Sequence, residues 1–306
     1  MPFYGPTFHC YALMRKNLKI YIKAWAFLAP SVAIISIVFI YPLIQTFVLS
    51  LHRVRGSVSQ FVGFFNYKFL LFQDEAFQQA VTNNLTLLIS IPILAALSIL
   101  IAVLLYERIR GWRSYQLMVF VPYVIPITVI GIVFGRILRW NGILNYILDF
   151  TGMDFLMRDW LGSSKIAIFS IMGIIIWRNL GFGVVLLLAR LISIQEEIFE
   201  AARIDGANWL QNLIYITIPQ LKTILLYFIT LMIITMFSWV FNYIYVITQG
   251  GPGHSTMVLE LVIYRYGIPK FMPGMASAAA SLLFGGIVIF IFFLLGFQKE
   301  IRAGGQ

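Results

Sequence analysis

Six long apolar runs, at 24–51, 81–106, 115–138, 166–192, 223–248 and 276–297, limit what this chain can fold into more than any other feature. A strand of an outer-membrane barrel would alternate polar and apolar residues over about ten positions. These runs are uninterrupted. As helix, about twenty apolar residues span the hydrocarbon core of a bilayer, because each residue rises about 1.5 Å. The composition agrees, with 60% hydrophobic and 11% charged residues, whereas a soluble domain carries roughly a quarter charged. The reading is an all-α integral membrane protein of six transmembrane helices. The first run is too long for a signal-peptide core and no small-residue cleavage site follows it, so it reads as a retained helix.

Six crossings put both termini on one side, and Lys and Arg in short flanks say which. Arg15, Lys16, Lys19 and Lys23 precede the first run, and Arg108, Arg110 and Arg113 crowd the loop after the second. Both places are expected to be cytoplasmic, as is the loop at 193–222. The opposite loops also hold cations, among them Arg53, Arg55, Arg136, Arg139, Arg158 and Lys165. The expected organisation is a basic cytoplasmic segment at 1–23, a helical domain at 24–297 and a cytoplasmic tail at 298–306.

Basic flanks of membrane spans account for much of the net charge of +10, so no nucleic-acid partner is implied. The lone Cys10 excludes an intrachain disulfide, and His9, His52 and His254 have no metal-ligand spacing. No GxxxxGK[ST] phosphate loop occurs, and nothing arranges a nucleophile. No catalytic residue, metal site or cofactor of its own is expected.

One stretch breaks the apolar pattern: "EEIFEAARIDGANWLQNLIYITIP", positions 196–219. Four of the chain's twelve acids (Glu196, Glu197, Glu200, Asp205) fall within ten positions there. Glu200-Ala201-Ala202 continues a helix well, and Gly206 permits the positive φ of a sharp turn. Trp209, Leu213 and Ile216 then recur at helical spacing until Pro219 closes the segment. A helix–turn–helix on the cytoplasmic face is expected, with small side chains at Ala201, Ala202 and Ala207 that admit another protein's surface. The plainer reading is a solvated loop whose charges keep it out of the membrane.

Glu200-Ala201-Ala202, three residues, Gly206, nine residues, then Ile216-Thr217-Ile218-Pro219 resembles the EAA signature of permease subunits in binding-protein-dependent ABC importers. The signature ends I-x-L-P, so Ile218 is a conservative departure; Gln195 stands where the family commonly has proline. The resemblance covers roughly residues 25–299. "GFFNY" at 63–67, "GILNYIL" at 142–148, "TQGGPGHST" at 248–256 and "GMASAAAS" at 274–281 are similar to marks of the carbohydrate-uptake (maltose and sn-glycerol-3-phosphate type) permeases.

The resemblance implies a type I ABC importer permease fold in a bacterial or archaeal cytoplasmic (inner) membrane. It implies a second homologous permease subunit, two cytoplasmic ATPase subunits that bind ATP and Mg, and an extracytoplasmic sugar-binding protein. Glu200, Ala201, Ala202, Asp205, Gly206, Ala207, Ile216 and Pro219 would then dock the ATPase as a coupling helix.

Polar groups at membrane depth are costly, so their positions are informative. Thr235, Ser238, Asn242 and Tyr245 are spaced by three, four and three, one face of a helix, with Trp239 and Tyr243 flanking it. The fourth run adds Trp177, Arg178 and Asn179. These residues fit a sugar path; Ser, Thr and Asn equally fit bonds between helices. Arg178 is expected to face inward, gripping a polar substrate or pairing between helices. Ser277, Ser281 and Gly285 read as a small-residue packing ridge, and Pro92, Pro122 and Pro126 as kinks. The rival function is a stand-alone secondary carrier or channel for a small polar solute. Ion-driven carriers place carboxylates inside the membrane, and here all twelve acids fall in loops or at run ends, which favours an externally powered permease.

Overall fold

The computed structural model describes residues 25–56, 58–108 and 110–303; the basic segment 1–23 lies outside them. Helix α1 (Trp25–Ser50) leads into a hairpin of β1 (His52–Arg55) and β2 (Val58–Phe61). There follow α2 (Phe65–Phe72), α3 (Glu75–Leu87), α4 (Ser90–Tyr106), α5 (Trp112–Val124), α6 (Ile127–Ile137) and α7 (Ile143–Phe150). The second half comprises α8 (Ala167–Ile192), α9 (Glu196–Ile204), α10 (Trp209–Asn212), α11 (Ile218–Ser238), α12 (Val240–Ile247), α13 (Leu259–Gly267) and α14 (Pro273–Ala303). The hairpin, antiparallel with His52 opposite Phe61, is the one departure from an all-helical chain among the described residues.

Five helices there are long and apolar enough to cross a membrane: Trp25–Ser50, Glu75–Tyr106, Ala167–Ile192, Trp209–Ser238 and Pro273–Phe292. Helices α5 and α6 are long and apolar enough only when taken together, as a pair bent by 99° where they meet. A proline disfavours helical backbone in the residue before it, and Ile125, ahead of Pro126, is extended at ψ 132°. The kink expected at Pro126 is a sharp bend, whereas Pro122 sits within α5 without ending it.

Two further boundaries move. The second span starts at Glu75 instead of 81, because Asp74 caps it: one carboxylate oxygen accepts the Ala76 and Phe77 amides at 3.0 and 3.3 Å. The last helix continues through Ala303, into the segment expected to be a tail.

One apolar core joins α3, α4, α8, α11, α12, α13 and the start of α14. A second, formed by Ala102, Val103, Leu105, Val184, Leu187, Leu188, Leu191, Ile194, Phe199 and Leu221, sits at the opposite end and includes α9. Close helix approach falls at positions other than the expected ridge. A Cβ on Gly181 would strike the Val119 carbonyl, and one on Gly274 the His52 carbonyl. Ser281 is buried beside Ala278 and Ala279, but Gly285 has open space around it and takes no part.

Candidate functional site

The loop between the fourth and fifth spans folds as its punctuation requires. Helix α9 stops at a left-handed glycine, Gly206 at φ +77°. The Ala207 amide donates to the Ala202 carbonyl at 3.0 Å and the Gly206 amide to Arg203 at 3.1 Å, the paired bonds that close a helix through glycine. Asn208 then opens α10 with a capping box: its side chain accepts the Gln211 amide at 2.9 Å while Gln211 accepts the Asn208 amide at 2.8 Å.

From Trp209 onward the chain differs from expectation. Leu213–Thr217 forms a wide π-type turn that runs straight into α11, so Trp209–Ser238 is one helical path. Pro219 follows the π-type turn directly, in the first turn of α11, and the helix runs on past it, so it closes no segment.

Helix α9 has two unlike faces. Phe199 and Ala202 are buried, and the Phe199 ring lies 5.5 Å from that of Tyr106. Ala202 thus faces the bundle and offers no surface to a partner, contrary to the sequence reading. Glu200, Ala201, Asp205 and Gly206 are exposed. With them is Ile204, 86% exposed, a residue that sequence reasoning missed because one apolar side chain among acids reads as part of the inward stripe. Ala207 and Ile216 are half-buried. Trp209 donates to Glu107 at 2.7 Å, tying this loop to the one after the second span and placing both at the same end of the bundle.

The polar stripe of the fifth span is not one regular helix. Trp239, at φ −125° and ψ −8°, separates α11 from α12. Ser238, Trp239 and Tyr245 are exposed and Asn242 is half-buried. Thr235 bonds its own helix instead, donating to the Leu231 carbonyl at 2.9 Å. Tyr243 does not flank the stripe; it is 1% exposed, and its hydroxyl faces Arg178 and Asn179 without completing a hydrogen bond.

On α8, Trp177 is 40% exposed and meets Phe134 edge to face at 5.1 Å. Arg178 lies inward, its guanidinium 5.2 Å above the Tyr123 ring and its Nε buried without a partner. Asn179 is buried and donates to the Ile175 carbonyl at 2.8 Å. The eight path candidates therefore divide into an open set (Trp177, Ser238, Trp239, Asn242, Tyr245) and a backing set (Arg178, Asn179, Tyr243).

At the other end of the bundle the loop at 248–256 is pinned. Thr256 donates to the Gly251 carbonyl at 2.7 Å and lies 2.8 Å from the Thr248 hydroxyl. Asn83 donates to the His254 and Met257 carbonyls at 3.3 and 2.8 Å, and Asn84 accepts the Leu259 amide at 2.9 Å. This asparagine pair was passed over in the sequence, lying where the second span was expected to begin.

Glu260 lies outside the crossing helices, between the fifth and the sixth, as expected of the acids. It stands on α13 with both carboxylate oxygens sealed from solvent and without a hydrogen bond of good geometry. Burial, only partly offset by its own amide, the Asn84 side chain and the Phe241 amide facing it, pushes its pKa up to about 7.

No protein-family model matches the sequence. Individual relatives do. The chain is 34% identical over 266 residues to the probable ABC transporter permease protein YurN of Bacillus subtilis (strain 168), covering 85% of this chain and 90% of that one. It is 33% identical over 274 residues to the lactose transport system permease protein LacF of Rhizobium radiobacter, covering 87% and 90%. With the trehalose/maltose transport system permease protein MalF of Thermococcus litoralis it shares 30% identity over 240 residues, covering 78% and 80%. Among solved structures it resembles a chain of a bacterial alginate ABC transporter in complex with an alginate pentasaccharide-bound periplasmic protein. That match has a TM-score of 0.81 at 24% identity, over 94% of this chain and 97% of that one, and it speaks to the fold.

Proposed function

This multi-pass membrane chain belongs to the permease family of ABC transporters, and from that premise we propose that it forms half of the path of an ATP-driven sugar importer. The observation that carries the proposal is α9: a helix with one face packed into the bundle through Phe199 and the other, with Glu200, Ala201 and Ile204, facing outward. Such a helix receives a push from a soluble protein and delivers it to the spans. On this reading the coupling residues are Glu200, Ala201, Asp205, Gly206 and Ile204, while Ala202, Ile216 and Pro219 hold the helix in place.

The partners in this reading are a second homologous permease, two cytoplasmic ATPase subunits that bind ATP and Mg, and an extracytoplasmic binding protein. The chain sits in the cytoplasmic membrane with both termini cytoplasmic. ATP closes the ATPase dimer, and α9 carries that motion through Phe199 to α4, α8 and α11, switching the path between inward- and outward-open states.

A sugar is supported by relatives named for lactose and trehalose/maltose transport and by the accessible side chains of Trp177, Ser238, Trp239, Asn242 and Tyr245. Aromatic rings stack on the C–H faces of sugars while Ser and Asn meet hydroxyls. The test is gentle purification from the native membrane, then reconstitution with whatever copurifies. Recovery of an ATPase, a second permease and a binding protein, with ATP hydrolysis stimulated by sugar-loaded binding protein and lost in Gly206→Pro, is the expected result. Solitary recovery, or full stimulation in Gly206→Pro, refutes it.

A further inference from the structure

At the end of the bundle away from α9, the ends of the first and last spans enclose a cavity of about 420 Å³. Arg53 stands three residues beyond the end of α1, and Lys270 three residues before the start of α14, so both lie at headgroup depth if those helices cross the bilayer. Each cation is held over an aromatic ring: the Arg53 guanidinium is 4.6 Å from the Phe65 centroid and the Lys270 ammonium 4.2 Å from that of Tyr266. Both side chains are exposed, and neither is paired with a carboxylate among the described residues. Asp74, bonded to the lining residue Tyr266, is already engaged: it caps α3 and accepts the Tyr266 hydroxyl at 2.7 Å.

Next in the chain to lining residues Phe65, Lys270 and Met272 stand Phe64 and Phe271, at 69 and 79% exposed. Aromatic residues at the ends of spans settle at the membrane–water interface. Cations flanking a recess at that depth, on the side where the topology of ABC permeases gives no general reason for positive charge, call for an anion.

We propose that the recess between Arg53 and Lys270 binds the phosphate of an anionic phospholipid, phosphatidylglycerol-like, from the leaflet opposite the coupling loop. The phosphate lies between guanidinium and ammonium, and the glycerol backbone rests on Phe65 and Met275, which line the cavity. A bound lipid here clamps the first span to the last, because Arg53 follows one and Lys270 precedes the other.

The test uses the complete importer, purified and placed in nanodiscs containing equal phosphatidylglycerol and phosphatidylcholine, then delipidated and weighed by native mass spectrometry. A cation near a membrane surface is worth about fivefold in affinity for anionic lipid. Retained phosphatidylglycerol should therefore exceed phosphatidylcholine by about tenfold or more in the unaltered protein, and the excess should vanish in Arg53→Gln with Lys270→Gln. The double variant Arg53→Lys with Lys270→Arg should keep the excess, and so should Arg139→Gln, which removes an exposed cation elsewhere at the same end. Equal retention of the two lipids, or an excess surviving the double glutamine variant, overturns the proposal. So does binding of inorganic phosphate in lipid-free detergent without retention of phosphatidylglycerol, or a loss confined to binding-protein affinity.

Discussion

Glu260 shows how one side chain ties stability to pH. In the native protein its carboxyl keeps a proton up to about pH 7, against an ordinary value of 4.5, so between those values the native state holds more protons than the unfolded chain. Stability from this group is therefore full below pH 4.5 and falls as pH rises through about 7. The span from 4.5 to about 7 corresponds to roughly 3 kcal/mol. The thermal midpoint of the purified importer should drop as pH is raised from 5 to 8, and Glu260→Gln should flatten that part of the curve. A midpoint whose pH dependence is unchanged by Glu260→Gln would contradict the assignment. At the same scale, Gly206 at φ +77° predicts that Gly206→Ala costs about 1–2 kcal/mol in the turn. Nothing blocks the added methyl, since open space surrounds the position, so the penalty is conformational. ATPase stimulation by loaded binding protein should fall in Gly206→Ala and fall further in Gly206→Pro.

At the scale of elements, α9 has two different faces, and its C-terminal end is closed by local chemistry at Gly206. Phe199 joins it to the inner core with Leu187, Leu191 and Leu221. Phe199→Ala should leave a cavity costing about 3 kcal/mol or more and loosen the helix from the bundle while its outward face survives. The expected result is an importer that still retains its ATPase subunit on purification but loses most sugar-stimulated hydrolysis. Loss of the ATPase together with stimulation would place Phe199 in docking instead. Helix α5 illustrates the reverse dependence. Its end is dictated by Pro126, whose ring forces Ile125 out of helical backbone, and its packing against α8 by Gly181, which lets the Val119 carbonyl approach.

For the whole molecule, the bundle puts α9 at one end and the pinned loop at 248–256 at the other, with the exposed Trp177, Trp239 and Tyr245 and the half-buried Asn242 between. Trp239→Ala and Asn242→Ala should each lower sugar uptake by about tenfold, the scale of a lost stack or hydrogen bond, with the complex intact. Uptake unchanged in both variants would move the path elsewhere. Tyr243→Phe should act differently: the buried hydroxyl completes no hydrogen bond, so its removal should cost little stability.

The six apolar runs alone dictated a helical membrane protein, because no other regular structure satisfies its backbone hydrogen bonds in hydrocarbon without closing into a barrel. The spacing of Glu200, Ala201, Ala202 and Gly206 likewise carried the short helix α9 and its turn, since helix closure at a glycine is local chemistry. Facing was decided by tertiary structure. Periodicity put Thr235, Ser238, Asn242 and Tyr245 on one side of a single helix, but the irregular backbone at Trp239 resets the phase, and Tyr243 turns into the core against Arg178. Ala202 was assigned by residue type to surroundings it does not occupy, since it is buried against the bundle. In a chain this apolar, hydrophobicity separates membrane from water and says little about which side of a helix meets protein; only the packing of neighbouring helices supplies that.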